Sequence, residues 1–146
     1  MGPLREMAKI IIATVHKSKE PWLDLGCKDY LQRLAPRHPV EIVLYKDEER
    51  LAKAINEDKR PILLDPRGKQ LDSKAFALML EKEIEIRGND AFFAIGGPEG
   101  FSQELKAGKS LISLSPMTFT HQMARLLLLE QIYRSFEILR GSPYHK

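Results

Sequence analysis

Apolar residues along this chain fall into short unbroken runs separated by longer stretches of helical spacing. The segment Ala8–Val15 carries the β-branched Ile10, Ile11, Ile12 and Val15 on both of its faces, which predicts a buried strand. Leu23, Cys27, Tyr30, Leu31 and Leu34 then recur at helical spacing, with Ser18 as the expected cap, Pro21 in the first turn and Pro36 and Pro39 beyond the end. Val40–Leu44 predicts a second strand, and Asp47 caps a short helix with Leu51, Ala54 and Ile55 inward. Ile62–Leu64 predicts a third strand closed by a turn at Pro66-Arg67-Gly68-Lys69. Ser73 is the expected cap of a helix carrying Phe76, Met79, Leu80 and Ile84, stopped by Gly88. Ala91–Ile95 and Leu111–Leu114 predict two more strands, with a turn or two of helix from Ser102 to Ala107 between them, ended by Gly108. A last helix runs from His121 to about Leu139 and is broken at Arg140-Gly141-Ser142-Pro143.

Strands alternating with helices, and strands apolar on both faces, predict one α/β domain with a mainly parallel sheet covered by helices. Ligands in such sheets bind beyond the carboxyl ends of the strands, so the loops after the third, fourth and fifth strands are the places to search. Gly96-Gly97-Pro98-Glu99-Gly100 follows the fourth strand and would let backbone groups approach a ligand; an ordinary tight turn is the alternative. It does not match the dinucleotide fingerprint, and the first strand ends in Val15-His16-Lys17 without glycine, which argues against a nicotinamide or flavin site. Ser115-Pro116-Met117-Thr118-Phe119-Thr120 mixes apolar side chains with hydroxyls, as an adenine pocket does; a loop that fills core space is the alternative.

The last helix changes the picture in another way. Leu126, Leu127, Leu128 and Leu129 are consecutive, so every face of that turn is apolar and needs cover. A second copy of the chain is the natural cover; deep insertion in its own fold is the other. The net charge of +3 permits a nucleic-acid partner without requiring one. One cysteine, Cys27, excludes an internal disulfide and cannot by itself build a zinc site. No apolar run reaches the ~20 residues of a membrane span, and nothing resembles a signal peptide, so a cytoplasmic protein is expected. Residues 1–6 stand before the first strand as an N-terminal extension, native or left over from cloning, leaving 7–146 as the domain.

Four stretches in order carry a resemblance to a known family: Phe93-Ala94-Ile95-Gly96-Gly97-Pro98-Glu99-Gly100, then Leu114-Ser115 through His121-Gln122-Met123-Ala124-Arg125, then Glu130-Gln131-Ile132-Tyr133-Arg134, then Pro143-Tyr144-His145-Lys146. The chain resembles the large-subunit ribosomal RNA methyltransferase H family, a small branch of the SPOUT superfamily, over nearly all residues from Met7. The resemblance implies a C-terminal trefoil knot, a homodimer, and S-adenosyl-L-methionine-dependent methylation of N3 of a pseudouridine in 23S ribosomal RNA of the assembled ribosome. It implies that Leu64, Gly97, Ser115, Pro116, Met117, Thr118, Phe119 and Thr120 hold the methyl donor. It assigns His121, Arg134, Tyr144 and His145 to the RNA or the chemistry, His145 or His121 being the base, Arg134 an electrostatic clamp and Tyr144 a stacking platform. No metal and no membrane enter. Three positions depart from the family pattern: His16 stands where glycine is usual, Thr120 where proline is usual, and Tyr45–Asn56 is short. Action on a different RNA, such as a transfer-RNA ribose hydroxyl, and a catalytically silent ribosome-binding module are the competing readings.

Overall fold

The computed structural model describes residues 9–88 and 90–145, so the extension at 1–6, the expected strand start at Ala8 and the terminal Lys146 lie outside the described residues. The elements are β1 (Lys9–Val15), α1 (Pro21–Leu34), β2 (Val40–Tyr45), α2 (Glu48–Glu57), β3 (Ile62–Gln70), α3 (Ser73–Ile86), β4 (Asp90–Ala94), α4 (Gln103–Lys106), β5 (Ser110–Ser113) and α5 (His121–Leu139). Every strand pair is parallel, and the sheet order is β2-β1-β4-β3-β5. That is the α/β architecture the apolar runs predict.

Alternation along the strands divides the core in two. Ile10, Ile12, Phe93 and Ile112 face α1, α3 and α5, where they meet Leu23, Phe76, Leu80 and Leu128. Ala13, Val15, Leu63 and Phe92 face the opposite side, where Leu51 and Ile55 of α2 and Leu105 of α4 pack. The chain therefore leaves β3 toward one face, where α3 packs, and β4 toward the other, where α4 packs. The crevice between these adjacent strands is a switch point, the position at which open α/β sheets bind ligands.

Two helix starts and one strand differ from expectation. The cap of α1 is Glu20, which makes no side-chain bond to the helix; Ser18 instead accepts from the Glu20 N–H, while Pro21 takes the first helical position. Asp72, not Ser73, caps α3 by accepting from the Ala75 N–H, because an aspartate one residue earlier already satisfies that donor. The Ser73 hydroxyl donates to Gln131 of α5 instead. The Pro66–Lys69 turn is an excursion within β3: Leu64 and Lys69 both pair with Ile112 of β5. The chain returns at Gly68, where a Cβ would stand 2.7 Å from the Ile112 and Leu111 backbone. Only glycine allows that approach.

Half of the apolar turn at Leu126–Leu129 is covered by its own fold: Leu128 and Leu129 are buried, and Leu126 and Leu127 are half-buried. Helix α5 lies between α1 and α3, with Leu128, Leu129 and Ile132 fully buried and no residue from His121 to Leu139 exposed. Burial of this kind is worth about 2–5 kcal/mol for each large aliphatic side chain. Leu128 and Leu129 therefore follow from insertion between two helices and do not by themselves call for a second chain.

Candidate functional site

At the carboxyl ends of β3, β4 and β5 lies a cavity of about 740 Å³. That volume falls within the ~300–1,000 Å³ usual for small-molecule sites. Its wall takes Leu64 from β3, Gly96 and Gly97 from the loop after β4, Ser115, Met117, Thr118, Phe119 and Thr120 from the loop after β5, and His121 from the start of α5. Pro116 belongs to the same loop but does not line the cavity.

Local chemistry fixes each wall. The Ser113 hydroxyl donates to the Ser115 carbonyl (2.8 Å), and the Ser115 hydroxyl accepts from the Met117 N–H (2.9 Å), which shapes the loop after β5. Thr120 caps α5 by accepting from the Met123 N–H, so the position where the family usually has proline still starts the helix. Gly96 packs against the Gly100 carbonyl, and a Cβ there would come within 3.3 Å of that oxygen. At Gly97 a Cβ would collide with the Glu48 carboxylate and press on Val15. Neither has the positive φ that the run of glycines suggested; within the loop only Gly100 does, at +71°.

Two features of the cavity lie beyond what residue types alone disclosed. Asp65 and Lys106 form an ion pair in the wall (2.8 Å), both largely buried, and Asp65 also accepts from the Arg67 N–H. Burial works against the Asp65 charge, but the Lys106 and Arg67 contacts win and hold its carboxyl below the usual range. Met117, 73% exposed, and Phe119 present apolar surface at the lip. Apolar surface left open beside buried charge is the lining a flat heterocycle with a charged tail requires, and it is the feature here that fits a nucleoside-type methyl donor.

His121 has its Nε2 buried without a partner. Burial, then the charges of Arg125 and His16, lower its pKa below the ordinary histidine value; Glu48 acts in the opposite direction.

The other three residues singled out for chemistry lie elsewhere. Arg134 sits thirteen positions after His121 on one helix, about 20 Å away at ~1.5 Å per residue. There Glu130 is the hub. It accepts from Arg134 (2.8 Å), from the Tyr144 hydroxyl (2.9 Å) and from Gln131 (3.0 Å). The tail reaches this point because Gly141, at φ +74°, reverses the chain: its N–H bonds the Ile138 carbonyl and the Ser142 N–H bonds the Glu137 carbonyl. Tyr144 then stands edge-on to Tyr133 at 5.0 Å with the Arg134 guanidinium over its ring at 4.9 Å. Burial first, then hydrogen bonds with Tyr30 and Glu130, push its phenol upward, so it stays protonated. Arg134 Nη1 lies 2.9 Å from His145 Nδ1. Arginine can only donate, so Nδ1 is the acceptor and the neutral imidazole carries its proton on Nε2. In this arrangement His145 offers a donor, not a free base.

The fold is an open parallel α/β sheet with a cavity at its carboxyl edge, where such sheets bind ligands. The chain belongs to the SPOUT methyltransferase family: the model described as "Predicted SPOUT methyltransferase" matches residues 8–145. It is 44% identical over 140 residues to the "Ribosomal RNA large subunit methyltransferase H" of Protochlamydia amoebophila, covering 96% of this chain and 100% of the relative. A relative of the same name from Pelobacter propionicus is 41% identical over 150 residues, covering 94% and 99%. Among solved structures, a probable methylase family protein from Haemophilus influenzae superposes with TM-score 0.56 at 14% identity, covering 98% of this chain and 71% of that one. A putative methylase family protein from Neisseria gonorrhoeae gives 0.52 at 14% identity, covering 92% and 84%. These last two likenesses are of fold.

Proposed function

We propose that this protein transfers a methyl group from S-adenosylmethionine to N3 of a pseudouridine in 23S ribosomal RNA, acting on the assembled ribosome as a homodimer. The observation that carries this reading is the cavity at the sheet's carboxyl edge, in a chain that matches ribosomal RNA methyltransferases over nearly its whole length. The trefoil knot implied by the family resemblance belongs to the same reading.

When bound, S-adenosylmethionine supplies an electrophilic methyl group on a positively charged sulfur. Leu64, Gly97 and the Ser115–Thr120 loop would hold it, and Met117 and Phe119 supply apolar surface at the lip. The transfer needs nucleophile, methyl carbon and sulfur in line, so the residues act chiefly by positioning. The imide N3–H of the base is weakly acidic and must lose its proton. His121 is the acceptor: it lines the cavity, and its lowered pKa keeps it neutral at pH 7. Arg134 and the His145 Nε2–H stabilise charge that develops on the base carbonyls, and Tyr144 stacks against the base.

One chain cannot bring these groups together, since the ~20 Å of helix between His121 and Arg134 is rigid. A two-fold axis crossing α5 midway, near Leu127, would place the partner's Arg134 cluster beside this chain's cavity. Exposed apolar side chains beside α5 support such a contact. Trp22 and Leu25, 55% and 68% exposed, lie one turn apart on α1, the helix that packs on α5 with Gly26 against Leu126. Cytoplasmic location follows from the substrate.

Calorimetry with S-adenosylmethionine, followed by mass mapping of methylated nucleosides in ribosomes from a strain lacking the protein, tests this reading. A missing N3-methyl pseudouridine that returns on complementation is the expected result. Normal 23S RNA with a change in transfer RNA would sink it.

A further inference from the structure

Among the described residues, His16 is the one non-glycine with a left-handed backbone, at φ +65°. Residues with a Cβ reach this region at a cost of about 1–2 kcal/mol, so something must hold the turn there. The holder is Arg125. It is 4% exposed and has no carboxylate partner among the described residues, and its Nη2 donates to the His16 carbonyl at 2.9 Å and to the Val15 carbonyl at 3.4 Å. A buried guanidinium spent on two carbonyls at the end of β1 is a costly device for a surface turn. What the turn achieves is visible in the rings: His16 meets His121 edge-on, with centroids 5.8 Å apart.

We propose that His16 is a positioning residue for methyl transfer, whose strained turn, clamped by Arg125, braces the His121 imidazole at the mouth of the cavity. The proposal rests on the reading of that cavity as the transfer site. The groups facing His121 come from three elements: Arg125 on its own helix, His16 on the loop after β1, and Glu48 at the start of α2. Arg125 and His16 oppose a positive charge on His121, and Glu48 favours one. His16 thus fixes the ring by contact and favours its neutral, proton-accepting form. A glycine at this position would relieve the strain and lose both effects.

The test is His16→Gly, with three readouts. Thermal unfolding should rise by about 2–4 °C, since glycine adopts positive φ freely. The His121 ring protons, followed by NMR and assigned by their loss in His121→Asn, should titrate at higher pH than in the wild type. The kcat for methyl transfer to ribosomes should fall about tenfold, with its acid limb moved to higher pH and S-adenosylmethionine affinity within about twofold of wild type. A more stable protein with unchanged kcat at every pH, or an unmoved His121 titration, overturns the proposal. Wild-type protein that neither binds S-adenosylmethionine nor methylates ribosomes would refute the reading of the cavity. The His121 titration would still decide whether His16 braces it.

Discussion

The cavity and the Glu130 cluster are built by opposite means. The cavity is assembled from loops that follow three different strands, held by a serine turn, close glycine packing and a buried ion pair. The cluster comes from one face of one helix and the tail that folds back on it, so Glu130, Arg134 and Tyr144 are fixed by helical spacing and a single reversal at Gly141. Each is chemically incomplete alone. The cavity has room, a histidine and the Arg67 side chain in its wall, but among the described residues its one lining lysine is committed to Asp65 and no aromatic hydroxyl lines it. The cluster has a guanidinium and a protonated phenol, but the nearest hollow, lined by Arg33, His38, Tyr133 and Arg140, holds only about 40 Å³. The cavity and the Arg134–Tyr144 pair stand at opposite halves of one rigid helix, and the proposed second copy would join them.

The largest expected effect comes from destroying the cluster and sparing the cavity. Deleting Tyr144–Lys146 should lower methyl transfer to ribosomes by about 100-fold or more, the scale of losing positioned polar groups. The donor's affinity should stay within about twofold. Unfolding should cost only ~1 kcal/mol less, since Glu130 keeps Arg134 after losing the tyrosine hydroxyl. Turnover of truncated protein equal to wild type, measured on the same ribosomes, would remove the cluster from the mechanism.

Damage to the cavity should show the reverse. Phe119→Ala removes an aromatic face from the lip and should weaken S-adenosylmethionine by about tenfold, near the ~1.5 kcal/mol upper range for one aromatic contact. Stability should change by less than ~0.5 kcal/mol, because Phe119 is exposed in the folded chain. Unchanged affinity by calorimetry would move the donor elsewhere.

Much of this contrast was legible in the sequence, and the illegible parts have physical causes. Unbroken β-branched runs specified a parallel sheet, and Asp47, Ser102 and Thr120 marked their helix starts. The loops to search followed from strand order alone. What periodicity could not show was partnership at a distance. Asp65 and Lys106 are 41 residues apart in sequence, Arg125 and His16 are 109 apart, and no local pattern links either pair. Glu130 was more accessible, since its spacing of four from Arg134 places both on one helix face. The terminal Tyr144 and His145, at a position usually frayed, proved to be docked because Gly141 turns them back. Of the four consecutive leucines, read as covered by a partner or by deep insertion, Leu128 and Leu129 fill a slot between α1 and α3 while Leu126 and Leu127 stay half-buried.

A smaller effect separates the two regions by pH. His38, stacked on Phe136 at 3.6 Å near the cluster end of α5, has its pKa lowered to about 4 by burial and then by Arg37. The unfolded chain takes up that proton near pH 6.5 while the folded chain resists to about 4, so stability should be flat above 6.5 and fall as pH drops between those values. His38→Phe should flatten that slope in denaturant titrations at several pH values. Methyl transfer at neutral pH should be unchanged, because His38 touches neither the cavity nor Glu130.

Mixed dimers decide whether the proposed site is shared between two chains. His121→Ala damages the cavity half and Arg134→Ala the cluster half, and each homodimer should be nearly inactive on ribosomes. After the two variants exchange subunits in equal amounts, about half the dimers are mixed and each mixed dimer regains one intact site of two, so activity should recover to about a quarter of wild type. Activity that stays at the level of the separate variants, in a mixture shown by mass spectrometry to contain mixed dimers, would contradict a site built from two chains.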